Sequence, residues 1–287
     1  MVRLETKRLY IRDLMINDLE AHHDLISNDE VMYYIQDIQT HSYEASRENL
    51  VFSIDEAHRQ DRKCYFFGIF LKENNEHVGS VGFTLLEKGD SGNAELGYFI
   101  HKKFWHKGYT FEASKAVVDY AFEMGIQKIT TGCVYLNNRS ENIMKKLGMF
   151  KEGHLYKHTY IDGRWLDRVT YGHYNPRFLN DQERLQLVYV RLANWIGPNS
   201  YHFTGYNPIL KEIEIDFLYD EEVNLVSLFK NYKLSNCKQG YQFQYDDYLI
   251  KCHINYDKSD FFEGENIEVR HFVPLRFKLT NNIEREE

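Results

Sequence analysis

The sequence is poor in the features that usually give a function away. Its four cysteines (Cys64, Cys133, Cys237 and Cys252) form no Cys-x-x-Cys pair, which removes the common zinc and dithiol redox signatures. Cys64 and Cys133 lie in apolar, strand-like segments where a free thiol behaves as a small hydrophobe, and a reducing cytoplasm is the expected home. No apolar run reaches membrane-spanning length. Charges within the first few residues and the lack of an apolar h-region argue against a signal peptide. Positive charge is also in short supply. The net charge of −8 weighs against nonspecific nucleic-acid binding. Thirteen histidines form no His-x-x-x-His or His-Glu-x-x-His on a helix, so they are read as scattered surface and loop residues and no metal is expected. No Gly-Lys-Ser/Thr Walker ending and no three-glycine dinucleotide fingerprint are present.

What is present centres on residues 94–121. Glu95 to Ile100 reads as a short apolar strand. Ala113, Ala116, Val117, Tyr120 and Ala121 recur at the spacing of one helix face. Between them lies Trp105-His106-Lys107-Gly108-Tyr109-Thr110. Such a loop delivers backbone N–H groups into the open first turn of a helix, where unpaired donors and the macrodipole favour an anion. Gly108 lets the backbone approach closely, and Lys107 adds a charge. One glycine between a strand and a helix is equally the mark of a plain turn. A second element follows at Asn137-Asn138-Arg139-Ser140, with Gly148 eight residues after Ser140.

Together these residues resemble the GCN5-related N-acetyltransferases, in the branch that includes enzymes acetylating ribosomal-protein N-termini. The family's pyrophosphate loop, Arg/Gln-x-x-Gly-x-Gly/Ala, falls on Trp105 to Thr110, with Gly108 matching and Thr110 a departure. Asn137, Ser140 and Gly148 match the branch's Asn-x-x-Ser and following glycine. Leu4 to Arg12 resembles the way the branch begins. The likeness covers about residues 1–176. It implies an α/β acyl-CoA acyltransferase fold with a mixed sheet, acetyl-CoA as co-substrate and an amine acceptor. It implies donor contacts from Trp105, His106, Lys107, Gly108, Tyr109, Thr110 and Asn137, and from backbone N–H groups around Phe99 and Ile100. The same resemblance makes Glu95 a candidate base, against a bland reading as a strand-edge charge. Ser140 is a candidate acid, although its first task reads as capping a short helix. Where many relatives carry a tyrosine acid this chain has Met144, which has no proton to give. Tyr135 is a further option. Tyr33 and Tyr34 fall in the region expected to wall the acceptor.

Taken in order, the chain reads as a strand at Leu9–Arg12, a helix capped by Asn17 or Asp18, and a helix from Ser42 to Arg62. Strands follow at Cys64–Leu71 and His77–Leu86 across an Asn74-Asn75 turn. Turn residues Gly89 to Asn93 lead into the central strand. After the helix from Gly108 come a strand at Lys128–Tyr135, a short helix starting at Ser140, and a hairpin about Asp162-Gly163, a strong two-residue turn signal. Asn175-Pro176 is read as a boundary. Residues 177–287 form a second, smaller α+β domain: a helix at Leu185–Trp195, turns from Gly197 to Pro208, an alternating strand about Ile213, Ile215 and Phe217, and a helix from Asp220 to Leu228. Strands are expected at Tyr241–Tyr245, Leu249–Tyr256 and Ile267–Leu279. From residue 180 onward there are 18 acidic against 12 basic residues. That excess suits either a dimerisation module with a solvated surface or a wall beside a cationic acceptor such as a polyamine or aminoglycoside.

Overall fold

The computed structural model describes residues 1–86, 92–196, 201–218, 233, 235–237, 240–245 and 247–255. It divides into two compact units, residues 1–186 and 187–287. Of the turn expected at Gly89 to Asn93, residues 89–91 lie outside the described residues, as do the helix expected at 220–228 and the strand expected at 267–279.

The first unit is built on an eight-stranded mixed sheet. Its strands are β1 (Arg3–Glu5), β2 (Leu9–Asp13), β3 (Cys64–Leu71), β4 (His77–Leu85), β5 (Asn93–Ile100), β6 (Lys128–Val134), β7 (Phe150–Ile161) and β8 (Arg164–Tyr174). The order is β1-β2-β3-β4-β5-β6-β8-β7. Every pair is antiparallel except β5 and β6. These two are joined by a helical crossover, which places the second strand parallel to the first. The predicted hairpins form where turn chemistry demanded them: Asn75 takes φ 57°, and Asp162 and Gly163 take φ 48° and 76°, the left-handed pair of a tight hairpin turn.

Helices cover both faces. α1 (Leu19–Ile26), α2 (Asp29–Met32) and α3 (Tyr43–His58) lie on one, against β3, β4 and β5; α4 (Tyr109–Glu123) packs on β4 and β5 from the other, beside α5 (Asn138–Lys146). The main core fills the α4 side, with Ile11, Phe67, Ile69, Phe83, Ala113, Val117 and Ile129 fully buried. Asp18 does not cap α1 with its side chain. Its carboxylate is taken by Arg12 at 2.8 and 2.9 Å and by the Met15 N–H. α3 begins on the predicted cap, Ser42 Oγ accepting from Ala45 N, but stops at His58 because Arg59 turns extended. Arg62 instead pairs with Asp13 at 2.6 Å in the interior. The surface reading of the histidines also fails for two of them. His22 and His77 are buried, His22 bonded to Asn49 and His77 to His101.

In the second unit, β9 (Tyr201–Asn207), β10 (Glu212–Leu218), β11 (Ser235–Cys237), β12 (Gly240–Tyr245) and β13 (Tyr248–Asn255) form a sheet in the order β11-β12-β13-β10-β9. The alternation of β10 is as read, with Ile213, Ile215 and Phe217 buried. Residues 201–207, expected as turns, form β9 instead. The aromatic run Tyr-His-Phe carries more strand character than its flanking Gly and Pro suggested. α6 (Asp181–Ile196) buries Leu185, Val188 and Leu192, three positions of the predicted stripe.

Candidate active site

The site begins where β5 and β6 part. Their pairing runs only from Asn93↔Lys128 to Glu95↔Thr130; beyond Glu95 the strands diverge. The hydrogen-bond phase along the other edge of β5 follows from its ends. Leu86 N bonds Asn93 O and His101 N bonds Val78 O. The pairs Glu95↔Thr84, Gly97↔Gly82 and Phe99↔Ser80 are therefore the hydrogen-bonded ones. The Phe99 N–H is thus engaged by β4, whereas Tyr98 and Ile100 direct theirs into the widening gap. Of the two donors expected from sequence, Ile100 faces the gap and Phe99 does not; Tyr98 takes its place. Thr131 Oγ1 bonds Leu96 O at 2.8 Å just inside the fork.

Side chains alternate across the same strand. Ala94, Leu96, Tyr98 and Ile100 point into the core beneath α4. Glu95, Gly97 and Phe99 face α1 and α2, where Phe99 packs against Leu25, Ile26 and Met32. Over Gly97 there is open space, since a Cβ built there meets nothing within 4 Å. The Glu95 carboxylate stands at the fork, half exposed, with Arg168 Nη2 at 3.7 Å. On this face Tyr33 and Tyr34 stack edge to face at 4.9 Å. The neighbouring Asp162 carboxylate raises the Tyr33 phenol above its ordinary range.

The loop after β5 is held in an open form. Trp105 Nε1 donates to Ile100 O at 3.1 Å, and Arg139 lies 3.8 Å over the Trp105 ring. His106 and Gly108 both take left-handed φ, 63° and 81°, alternating along a loop whose residues 106–108 are exposed. Gly108 is the N-cap of α4 and supplies no capping side chain. Among the described residues no side chain occupies the first turn's donors, and successive N–H groups in such a loop make an anion-binding concavity. The Lys107 ammonium rests 5.2 Å from the Phe104 ring. The Tyr109 ring meets Phe104 edge-on at 6.0 Å, and Thr110 is half-buried.

At the start of α5 the cap is Asn137, not Ser140. Asn137 Oδ1 accepts from Ser140 N at 3.2 Å; the helix starts two residues earlier than expected, so Ser140 sits in its first turn with its hydroxyl released from capping. The Ser140 Oγ and carbonyl O both lie 3.1 Å from the Tyr98 hydroxyl. Burial pushes the Tyr98 phenol far above its ordinary range. Sequence reasoning missed Tyr98. The only available signal was its place in the alternation, since Ser140 is 42 residues away. Met144 is fully buried and is a core residue. Tyr135 is half exposed against His154, ring centroids 5.4 Å apart. Cys133, beside Asn137 O, has its thiol pushed up to about 11 by burial.

Residues 8–150 match the family model described as an acetyltransferase (GNAT) domain. The Bacillus subtilis protein named "Probable N-acetyltransferase YjcK" is 31% identical over 178 residues, covering 60% of this chain and 97% of its own length. The chain belongs to the GNAT N-acetyltransferases. The "[Ribosomal protein uS5]-alanine N-acetyltransferase" of Escherichia coli is 29% identical, over 58% of this chain and 88% of that protein. The spermidine N-acetyltransferase of Vibrio cholerae, solved with CoA and spermine, shares the fold with a TM-score of 0.53 at 22% identity, over 61% of this chain and 100% of that one. The family uses acetyl-CoA. Among the described residues no group of His, Cys, Asp and Glu gathers to hold a metal, and no helix is long and apolar enough to cross a membrane.

Proposed function

We propose that this N-acetyltransferase takes its acetyl group from acetyl-CoA and passes it directly to a primary amine. The observation that carries the reading is the fork at Glu95. There the sheet opens, two backbone donors lose their strand partner, and a carboxylate stands beside a stretch of bare backbone. The donor set fits a thioester whose pyrophosphate lies on the Gly108 loop, because exposed N–H groups at an uncapped helix start favour phosphate. The thioester supplies an activated acetyl group; the chain's own residues supply the rest. The N–H groups of Tyr98 and Ile100 are placed to polarise the carbonyl, and preorganised donors are commonly the largest catalytic contribution. Glu95 accepts the proton of the amine, directly or through water, since free amines are protonated near neutrality. Ser140, positioned by Tyr98 and the Asn137 cap, offers a hydroxyl to the departing sulfur. The protonated, buried Cys133 is a poor nucleophile, which supports direct transfer without a covalent enzyme intermediate.

The acceptor we favour is a protein N-terminus. The face over Gly97 is open, room for an extended chain end, and Tyr33 and Tyr34 are proposed as part of its wall. A polyamine or aminoglycoside is the competing acceptor. A thiol-release assay with N-terminal alanine or serine peptides, spermidine and an aminoglycoside tests both. Turnover with peptides at least tenfold above that with the small amines is expected. The absence of turnover with every amine, despite acetyl-CoA binding, would make the chain an acyl-CoA sensor, the reading that Met144 and Thr110 motivate. Residues 177–287 are proposed as a separate domain for dimerisation or for walling the acceptor.

A further inference from the structure

The tip of the first hairpin, Thr6-Lys7-Arg8, belongs to the edge of the sheet and to no part of the proposed chemistry. Three donors from it nevertheless converge on one carboxylate of α4. Thr6 Oγ1 and the Arg8 N–H reach Glu112 Oε1 at 2.5 and 2.9 Å, and Arg8 Nε reaches Oε2 at 2.6 Å. Burial raises the Glu112 carboxyl, but the bonds from Thr6 and Arg8 outweigh it and leave it below its ordinary range. The same guanidinium goes further. Its Nη1 donates to the Lys107 carbonyl at 3.0 Å, its plane lies 4.4 Å over the Tyr109 ring, and Nη2 stands 3.4 Å from where a Cβ on Gly108 would be. One side chain therefore grips residues 107 to 109 and the first turn of the helix behind them.

The peptide plane gives this grip a consequence. In a trans peptide the carbonyl and the following N–H point in opposite directions. A Lys107 carbonyl held against Arg8 turns the Gly108 N–H to the other side of the loop, away from the hairpin. The guanidinium also neutralises Glu112, whose charge near the helix start would otherwise oppose a phosphate. We infer that Arg8 is a positioning residue for the donor: it sets the loop's backbone donors and screens Glu112, without itself belonging to the reacting centre. The inference rests on the proposed donor reading. Lysine cannot substitute, because the contact needs Nε, Nη1 and a flat face at once, and an ammonium offers a single point of charge.

The test uses the full chain. Calorimetry with acetyl-CoA is run on the wild type, Arg8→Ala and Arg8→Lys, alongside kcat/KM with acetyl-pantetheine, a thioester donor lacking the pyrophosphate and nucleotide. Both variants are expected to bind acetyl-CoA about ten- to a hundredfold more weakly, the scale of a lost charge-assisted hydrogen bond. They should use acetyl-pantetheine within twofold of the wild type. Unchanged acetyl-CoA affinity overturns the inference, as does an equal loss with both donors, which would make Arg8 a general brace. Should Arg8→Ala not fold, Arg8→Lys decides by the same criteria. A wild type that does not bind acetyl-CoA overturns the donor reading itself and this inference with it.

Discussion

At the scale of single residues, Glu95 carries the sharpest chemical expectation. Glu95→Gln keeps the shape at the fork but removes the carboxylate, so kcat should fall about a hundredfold at neutral pH and recover in part at high pH, where the amine loses its own proton. A pH–rate profile with the same limbs as the wild type would return Glu95 to a strand-edge charge paired with Arg168. His77 carries a different expectation. Burial, then the neighbouring His101, lower its pKa to about 3, against about 6.5 for the unfolded chain. A depressed folded-state pKa means that the unfolded chain binds the proton first. The neutral ring's contribution is therefore complete above about pH 6.5 and is lost as pH falls toward 3. Urea midpoints should drop steadily across that window, and His77→Asn should flatten the slope whatever it does to the absolute stability. A slope unchanged by the substitution would mean that other groups drive the acid sensitivity.

At the scale of elements, the parts legible in the sequence were those set by local rules. Asp162-Gly163, Asn74-Asn75 and the stripe of α4 formed where turn chemistry and periodicity placed them. Gly148, expected at a helix end, takes φ 73°; Gly148 N bonds Lys145 O and Met149 N bonds Met144 O, a Schellman arrangement. What could not be read were contacts between distant segments. Asp18 serves Arg12 and not its own helix, Arg62 leaves its helix to meet Asp13, and Tyr98 finds Ser140. Assigning Ser140 as the cap failed because Asn137 is the better one, a choice local sequence leaves open since both residue types cap well. Asn137→Ala should therefore cost about 1 kcal/mol of stability, measured by chemical denaturation. Ser140→Ala should cost less, having no capping bond to lose. The reverse order would restore Ser140 as the cap.

For the whole molecule, the division of labour is the open matter that the proposal addresses. The donor loop, the fork, Glu95 and Ser140 all lie within the first unit, and the alignment to the Bacillus subtilis relative spans 178 residues. A chain ending at Phe178 should hence keep its acetyl-CoA affinity within about threefold, a shift of less than 1 kcal/mol. A larger loss would show that the second unit supports the donor site. If that unit walls the acceptor, truncation weakens a cationic acceptor most at low salt, where screening is weakest; if it dimerises the chain, sedimentation shows a monomer with acceptor kinetics unchanged.

The most direct test of the account is calorimetric titration of acetyl-CoA into the wild type and Gly108→Glu. A side chain at φ 81° is strained. The nearest atom its Cβ would meet, Arg8 Nη2, stands at ordinary contact distance, so the variant should fold with a stability loss of about 1–2 kcal/mol. The added carboxylate lies at the helix start and competes with Glu112 for Arg8. The account predicts saturable binding to the wild type and at least a tenfold weaker affinity in Gly108→Glu, with the folded structure retained. Equal affinity in the two proteins would contradict it, because the donor's phosphates would then lie somewhere other than the Gly108 loop.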